Sequence, residues 1–270
     1  MIDGKYYVID AHAHIYPDKI AAIAVHHTDD FYHENSYCKG TVEDLLTAKE
    51  TARIDKFVVQ SVATTPKQVK SINEFIAKSV NDNSDKFVGL GTIHPESTDT
   101  QGDIIHLLEL GLKGIKIHPD IQNFDMDDKG YIKFYELCER YNLPVLMHTG
   151  DNRYDHSNPN RLIPLLENFK NLTIIGAHFG GWSIWEEASE KLHGIPNLYV
   201  DCSSSFHYIS SKTAKKIILK YGTDRVMFGT DYPMWNAEDE IEKLLSLNLS
   251  EKDYIKIFSE NAKKVYKIND

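Results

Sequence analysis

The sequence predicts a (β/α)8 barrel of the α/β class, and three observations carry the prediction. Eight short apolar runs recur along the 270 residues, most of them apolar on both faces, as parallel strands covered on both sides are. Amphipathic stretches of helical period lie between them, and strand and helix alternating eight times in about 250 residues is the pattern of the barrel. No glycine-rich phosphate turn follows the first run, where "DAHAHIYPD" stands, which argues against a doubly wound open sheet.

In chain order the predicted strands are 6–12 ("YYVIDAH"), 56–63 ("KFVVQSVA"), 86–93 ("KFVGLGTI") and 112–118 ("LKGIKIH"), then 143–148 ("LPVLMH"), 171–178 ("NLTIIGAH"), 197–203 ("NLYVDCS") and 225–231 ("RVMFGTD"). A helix is expected over 41–54, because Thr41 with Asp44 three residues on is close to a capping box and Leu45, Leu46 and Ala48 give an apolar stripe. "NRLIPLLENF", "SSKTAKKIILKYG" and "NAEDEIEKLLSL" follow the same period, with Gly222 where a C-cap would stand. The segment from Ile15 to about Gly40 reads instead as a long loop, rich in His and Tyr. No Pro-, Gly- or Ser-rich linker interrupts the chain, so residues 1–270 are expected to form a single domain.

Composition excludes several functions. A formal charge of −10 argues against a nucleic-acid binder, which would show a basic face. No apolar run approaches the length of a membrane span, and the start lacks a basic region followed by an apolar stretch, so a cytoplasmic location is expected. Cys38, Cys138 and Cys202 are odd in number and far apart, which fits neither a disulfide framework nor a paired-cysteine zinc site. A two-fold homodimer rests on base rates alone.

The polar residues fall where a barrel keeps its chemistry, at the carboxyl ends of the strands. His12 and His14 share one face of the first strand, two residues apart. His148 ends the fifth strand, His178 the sixth and Asp231 the eighth. One histidine at a strand end is an ordinary hydrogen-bonding group. Five ligand-type side chains converging on one rim point to a metal ion, because burying them together is costly without a charge to pair them. Three imidazoles and a carboxylate suit Zn2+ with one open position, and Mn2+, Fe2+ or Ni2+ would also be accommodated. His12, His14, His148 and Asp231 are the most economical ligand set. His178 is then free for acid–base work, the alternatives being a fifth ligand or a plain hydrogen-bond donor.

"DAHAH", "GLKGIKIHP", "LPVLMHTG", "IIGAHFGGW" and "RVMFGTDYP" resemble the motifs of the amidohydrolase superfamily, and within it the group of small barrel-shaped metal-dependent hydrolases and decarboxylases. The resemblance runs from "VIDAHAH" to "IFSENAKKVYKI". It implies the same ligands, His12, His14, His148 and Asp231, with His178 in the proton-transfer position. Some relatives bridge two metals with a carboxylated lysine on the fourth strand. Lys116 lies there, on the same face as His118, although a lysine paired with an acidic neighbour is the simpler reading and one metal the default.

The expected reaction is hydrolysis of a small amide, cyclic amide or lactone by metal-activated water, with Asp231 taking its proton and His178 polarising the carbonyl or protonating the leaving group. The alternative is non-oxidative decarboxylation of a small unsaturated or aromatic carboxylic acid, which uses the same five residues. Candidate substrate contacts are His118 after the fourth strand, Arg153 as a carboxylate partner, and Trp182, His207 and Trp235 as an aromatic wall.

Overall fold

A computed structural model describes residues 2, 4–48, 51 and 53–269. Every predicted strand is present; the first is shifted, beginning at Ile9 and running on to His14, and the others are trimmed to the part that finds a ladder partner. They are β1 (Ile9–His14), β2 (Lys56–Gln60), β3 (Phe87–Gly89), β4 (Gly91–Thr92), β5 (Ile115–Ile117), β6 (Val145–Met147), β7 (Ile174–Gly176), β8 (Leu198–Asp201) and β9 (Val226–Met227). β3 and β4 are two halves of one stave, and every paired neighbour is parallel.

The ladders form a three-stranded sheet, β1-β2-β3, and a six-stranded one, β4 to β9. The split stave joins them, because the Leu90 amide donates to the Val59 carbonyl while the next amide, Gly91, donates to Gly114. At the opposite seam the Ala11 amide donates to Phe228, Asp231 to His12 and His14 to Tyr232, at 2.7–2.9 Å. These bonds draw the first and last strands of the barrel together at the rim that carries the candidate ligands.

Around the strands run α1 (Asp18–Tyr32), α2 (Val42–Thr47), α3 (Val69–Asp82), α4 (Thr100–Glu109), α5 (Pro119–Gln122) and α6 (Ile132–Tyr141), then α7 (Pro159–Asn168), α8 (Trp185–Leu192), α9 (Ser211–Tyr221), α10 (Ala237–Leu245), α11 (Glu251–Ile255) and α12 (Asn261–Tyr266). Helix α2 is the start of the helix expected over 41–54: the Thr41 hydroxyl accepts from the Asp44 amide, while Lys49, Glu50 and Ala52 of that expected helix lie outside the described residues. The long loop expected from Ile15 is corrected, since most of it is the 15-residue helix α1. Its apolar residues, Ile20, Ile23 and Ala24, recur at helical spacing, a period hidden by the surrounding His, Thr and Asp. No helix among the described residues is long and apolar enough to cross a membrane.

Register explains the interior. Lys116, Leu146, Ile175 and Tyr199 are successive partners across β5 to β8, so all four point into the barrel. Ile9, Val58, Leu90, Leu146, Ile175 and Met227 pack there with Val265 and Tyr266 of α12, which plugs the end of the barrel remote from the ligands. Lys116 is the one charged member of this layer. Two residues further along β5, β6 and β8, on the same face, come His118, His148 and Asp201. Alternation alone therefore delivers polar groups to the rim above an apolar plug.

Gly150, just beyond β6, holds the rim loops together. Its φ is +87°, and an added Cβ would lie 2.3 Å from the Trp182 amide nitrogen. Gly150→Ala is expected to lower the thermal midpoint by more than about 5 °C, since left-handed backbone alone costs about 1–3 kcal/mol away from glycine. Thermal denaturation of the variant beside the wild type checks this.

Candidate metal centre

β1 carries a bulge between Asp10 and Ala13, so that His12 sits in the irregular stretch of the strand. The Asp10 carboxylate turns away from the cavity, accepting from the His12 amide and from both the amide and hydroxyl of Thr230. It ties β1 to the end of the last strand. His12 then donates from Nδ1 to Asp201, 2.9 Å away, which leaves the Nε2 lone pair facing inward. His14 Nε2 lies 3.2 Å from it, and Asp231 Oδ1 lies 3.2 Å from His12 Nε2 and 3.6 Å from His14 Nε2. Lys116 Nζ reaches His12 Nε2 at 3.1 Å.

Asp231 follows β9 in left-handed backbone, φ 60°, and accepts from the Ser204 hydroxyl at Oδ2. His178 follows β7 with φ 59°, its amide donating to Asp201 and its Nδ1 lying 3.0 Å from the Ser203 carbonyl. Ser204 and Asp151, also at the rim, have positive φ as well. Strained backbone clustered at strand ends is characteristic of sites where side-chain aim outweighs local stability.

His148 stands apart from the other three predicted ligands. Its Nδ1 is 3.1 Å from His178 Nε2 and 3.4 Å from the Tyr32 hydroxyl. Its Nε2 is buried without a hydrogen-bond partner, 3.7 Å from Asp120. The ligand atoms thus form two compact groups, His12–His14–Asp231 and Asp120–His148–Asp151, with His178 between them. All four predicted ligands and His178 nevertheless border one cavity.

The donor set fits a divalent cation. His12 turns Nδ1 to Asp201, so His12 Nε2, His14 Nε2 and Asp231 Oδ1 crowd together as three ligand-type atoms. Burial, reinforced by Lys116 and neighbouring imidazoles, holds His14 and His148 well below the usual histidine range, and burial brings His178 to about 4. Burial opposes ionisation of Asp231, but His12, His178, His14 and the Ser204 hydroxyl outweigh it and keep the carboxyl well below its ordinary value. Neutral imidazoles beside an ionised carboxylate are the protonation state that metal binding requires. Lys116, lowered to about 8 by burial against the pull of Asp231 and Asp201, makes no direct ion pair among the described contacts, contrary to the simpler expectation for it.

The expected substrate contacts divide. His118 borders the cavity, where its Nε2 meets the Tyr32 hydroxyl at 2.7 Å. Trp182 and Trp235 border a separate cleft of about 10 Å3 beside His148, His178 and Asp231, close to the room of one water. Arg153 borders neither opening: it binds Asp151 through Nε and Nη2 and donates to the Phe31 carbonyl, so it fastens α1 to the rim. His207 stacks on Trp235 and pairs with buried Glu240 at 2.9 Å, outside both openings. In both cases a nearby buried carboxylate, Asp151 or Glu240, engages the side chain.

Asp201, Asp120 and Tyr32 went unrecognised in the sequence. Asp201 carried a usable signal, an aspartate ending an apolar strand as Asp231 does. Asp120 and Tyr32 had none, because each reaches the site from a helix. Asp201→Asn is expected to weaken divalent metal binding by about 10–100-fold, since it removes the acceptor that fixes the His12 tautomer. Competitive titration with a chromophoric chelator would measure it.

Comparison with known proteins places this geometry. The amidohydrolase family model matches residues 9–268. A 2-amino-3-carboxymuconate-6-semialdehyde decarboxylase of Dictyostelium discoideum is 25% identical over 229 residues, covering 71% of this chain and 62% of that relative, less than two thirds of its length. A gamma-resorcylate decarboxylase of Rhodococcus jostii (strain RHA1) is 22% identical over 251 residues, covering 73% and 75%. The crystal structure of a 5-carboxyvanillate decarboxylase from Novosphingobium aromaticivorans, solved with manganese and 4-hydroxy-3-methoxy-5-nitrobenzoic acid, shares the fold with a TM-score of 0.72. Its identity is 16%, over 97% of this chain and 96% of that one. These findings correct the expectation of hydrolysis, because the relatives are decarboxylases. Residue types alone could not make the distinction, since both reactions draw on the same ligands and proton carrier.

Proposed function

The chain belongs to the amidohydrolase family, and we propose that within it this protein is a metal-dependent non-oxidative decarboxylase of a small unsaturated or aromatic carboxylic acid. The observation that carries the reading is the compact cluster of His12, His14 and Asp231 bordering the same cavity as His178, in a chain whose curated relatives are decarboxylases. His12, His14 and Asp231 would hold one divalent ion, zinc or manganese, with His148 as fourth ligand through Nδ1. Bound there, the ion would supply positive charge against the oxygens of the acid.

The remaining roles fall to the chain's own groups. Asp201 fixes the His12 tautomer, and Ser204 steadies Asp231. Lys116 adds a cation at the floor of the cavity, suited to an anionic substrate in a site whose other formally charged group, Asp231, would be engaged by the ion. His178, with its Nδ1 proton held by the Ser203 carbonyl, offers Nε2 to accept a proton and return it to carbon. The balance is simple: the acid loses the C–C bond to its carboxylate, CO2 leaves, and the bonding electrons take one proton at the vacated carbon.

The test follows from that balance. Protein loaded with manganese or zinc is incubated in D2O with a panel of aromatic and unsaturated acids. The reading predicts a product carrying one deuterium where the carboxylate stood, formed only with metal present. Consumption of an acid without CO2, or equal activity in the presence of a chelator, would overturn it.

A further inference from the structure

The cavity that contains the ligand cluster is far larger than the cluster needs. It measures about 500 Å3, within the range that takes drug-sized ligands and more than a single-ring acid would fill. Its inner end is polar, with His12, His14, Lys116, His178 and Asp231. Its outer part runs as a trough between α1 and α3, walled by Ile20, Ile23 and Ala24 on one side and Ile72 and Phe75 on the other. Lys116 and Asp231 are the only formally charged side chains along the whole lining among the described residues.

Helix α1 is unusual in how it spends its apolar residues. Only Ala21 is buried, while Ile20 and Ile23 remain 49% and 58% exposed on the trough. A surface helix ordinarily turns such residues into the core. Here they face a space continuous with the ligand cluster, and the exposed His27 edges the same space. Arg153, bound to Asp151, is not among the residues that line this space, so it adds no second cation there. The cleft on the far side of His178 has room for about one water, so the trough is the route by which substrate bulk can be accommodated.

We propose that the preferred ligand is a monocarboxylic acid carrying an extended apolar substituent, its carboxylate at the Lys116 end and its apolar part in the α1–α3 trough. The orientation rests on the decarboxylase reading, whereas the ligand class rests on the trough. A second carboxylate in the outer part would lose water without gaining a cation, which disfavours extended diacids.

Calorimetric titration of the manganese-loaded protein with benzoate, 4-butylbenzoate, 4-octylbenzoate and 4-(7-carboxyheptyl)benzoate tests it. Affinity should rise about threefold to fourfold for each buried methylene, while the diacid gains little over benzoate. Ile23→Asp, at an exposed position, should flatten this chain-length dependence and leave benzoate binding unchanged. Equal affinity along the alkyl series, or a diacid that matches the octyl probe, would overturn the proposal. So would Ile23→Asp dissociating an oligomer without altering the series, since a second copy would then occupy the trough. A clear chain-length dependence with no CO2 from any acid would uphold the ligand class and remove the decarboxylase reading instead.

Discussion

Asp231→Ala is expected to leave the protein without bound divalent metal and without turnover. Its Oδ1 is the only carboxylate oxygen in the compact group with the Nε2 atoms of His12 and His14. Without it the group reduces to two imidazoles, with the Lys116 ammonium 3.1 Å from one of them and now repelling any added cation. Metal affinity should fall by more than the roughly 10–100-fold typical of an outer partner such as Asp201. Elemental analysis after gel filtration reads the loss directly. Because the apolar plug of the barrel lies a layer below, the metal-free variant should melt close to the metal-free wild type. Full retention of metal by the variant would remove Asp231 from the ligand set.

His178→Asn separates a proton carrier from a ligand. The residue is buried, its backbone held by Asp201 and its ring between the two groups of ligand atoms. Asparagine retains a donor toward the Ser203 carbonyl and lacks a group that can take and return a proton at neutral pH. Turnover should fall by about 10²–10⁴-fold while metal content stays near that of the wild type. Loss of metal along with activity would make His178 a ligand, one of the alternatives its position at the strand end leaves open. Since burial brings its pKa to about 4, His178 is neutral throughout the physiological range and takes a proton before it gives one.

The barrel was legible because its signal is repetitive: eight apolar runs, each closed by a turn, with helices between them. What the period could not show was length. β5, β6 and β7 pair over three residues each, since ladder bonds end where the strands splay toward the rim loops. Helix α1 was missed for a physical reason. It buries almost nothing in the core, so the contrast between apolar and polar faces that marks a helix is weak there. The candidate ligands were legible through the same alternation that builds the barrel, as His12, His148 and Asp231 end apolar strands. Their partners were not, because Tyr32, Asp120 and Ser204 arrive from helices and loops whose three-dimensional path leaves no local trace. The choice of reaction was beyond reach from residue types, and the relatives corrected it. Arg153 shows the complementary limit: a cation near the rim reads as a carboxylate receptor until Asp151, two residues away, is seen to hold it.

The central claim is that one divalent ion, held by His12, His14, His148 and Asp231, is needed for decarboxylation in this barrel. Titrating metal-free protein with manganese while recording bound metal and CO2 release from a responsive acid tests it most directly. CO2 release should rise in proportion to bound metal and level off at about one equivalent, with no further gain at higher metal, as a single ion at an open site requires. Release that is independent of metal, or that first appears after a second equivalent binds, would contradict it.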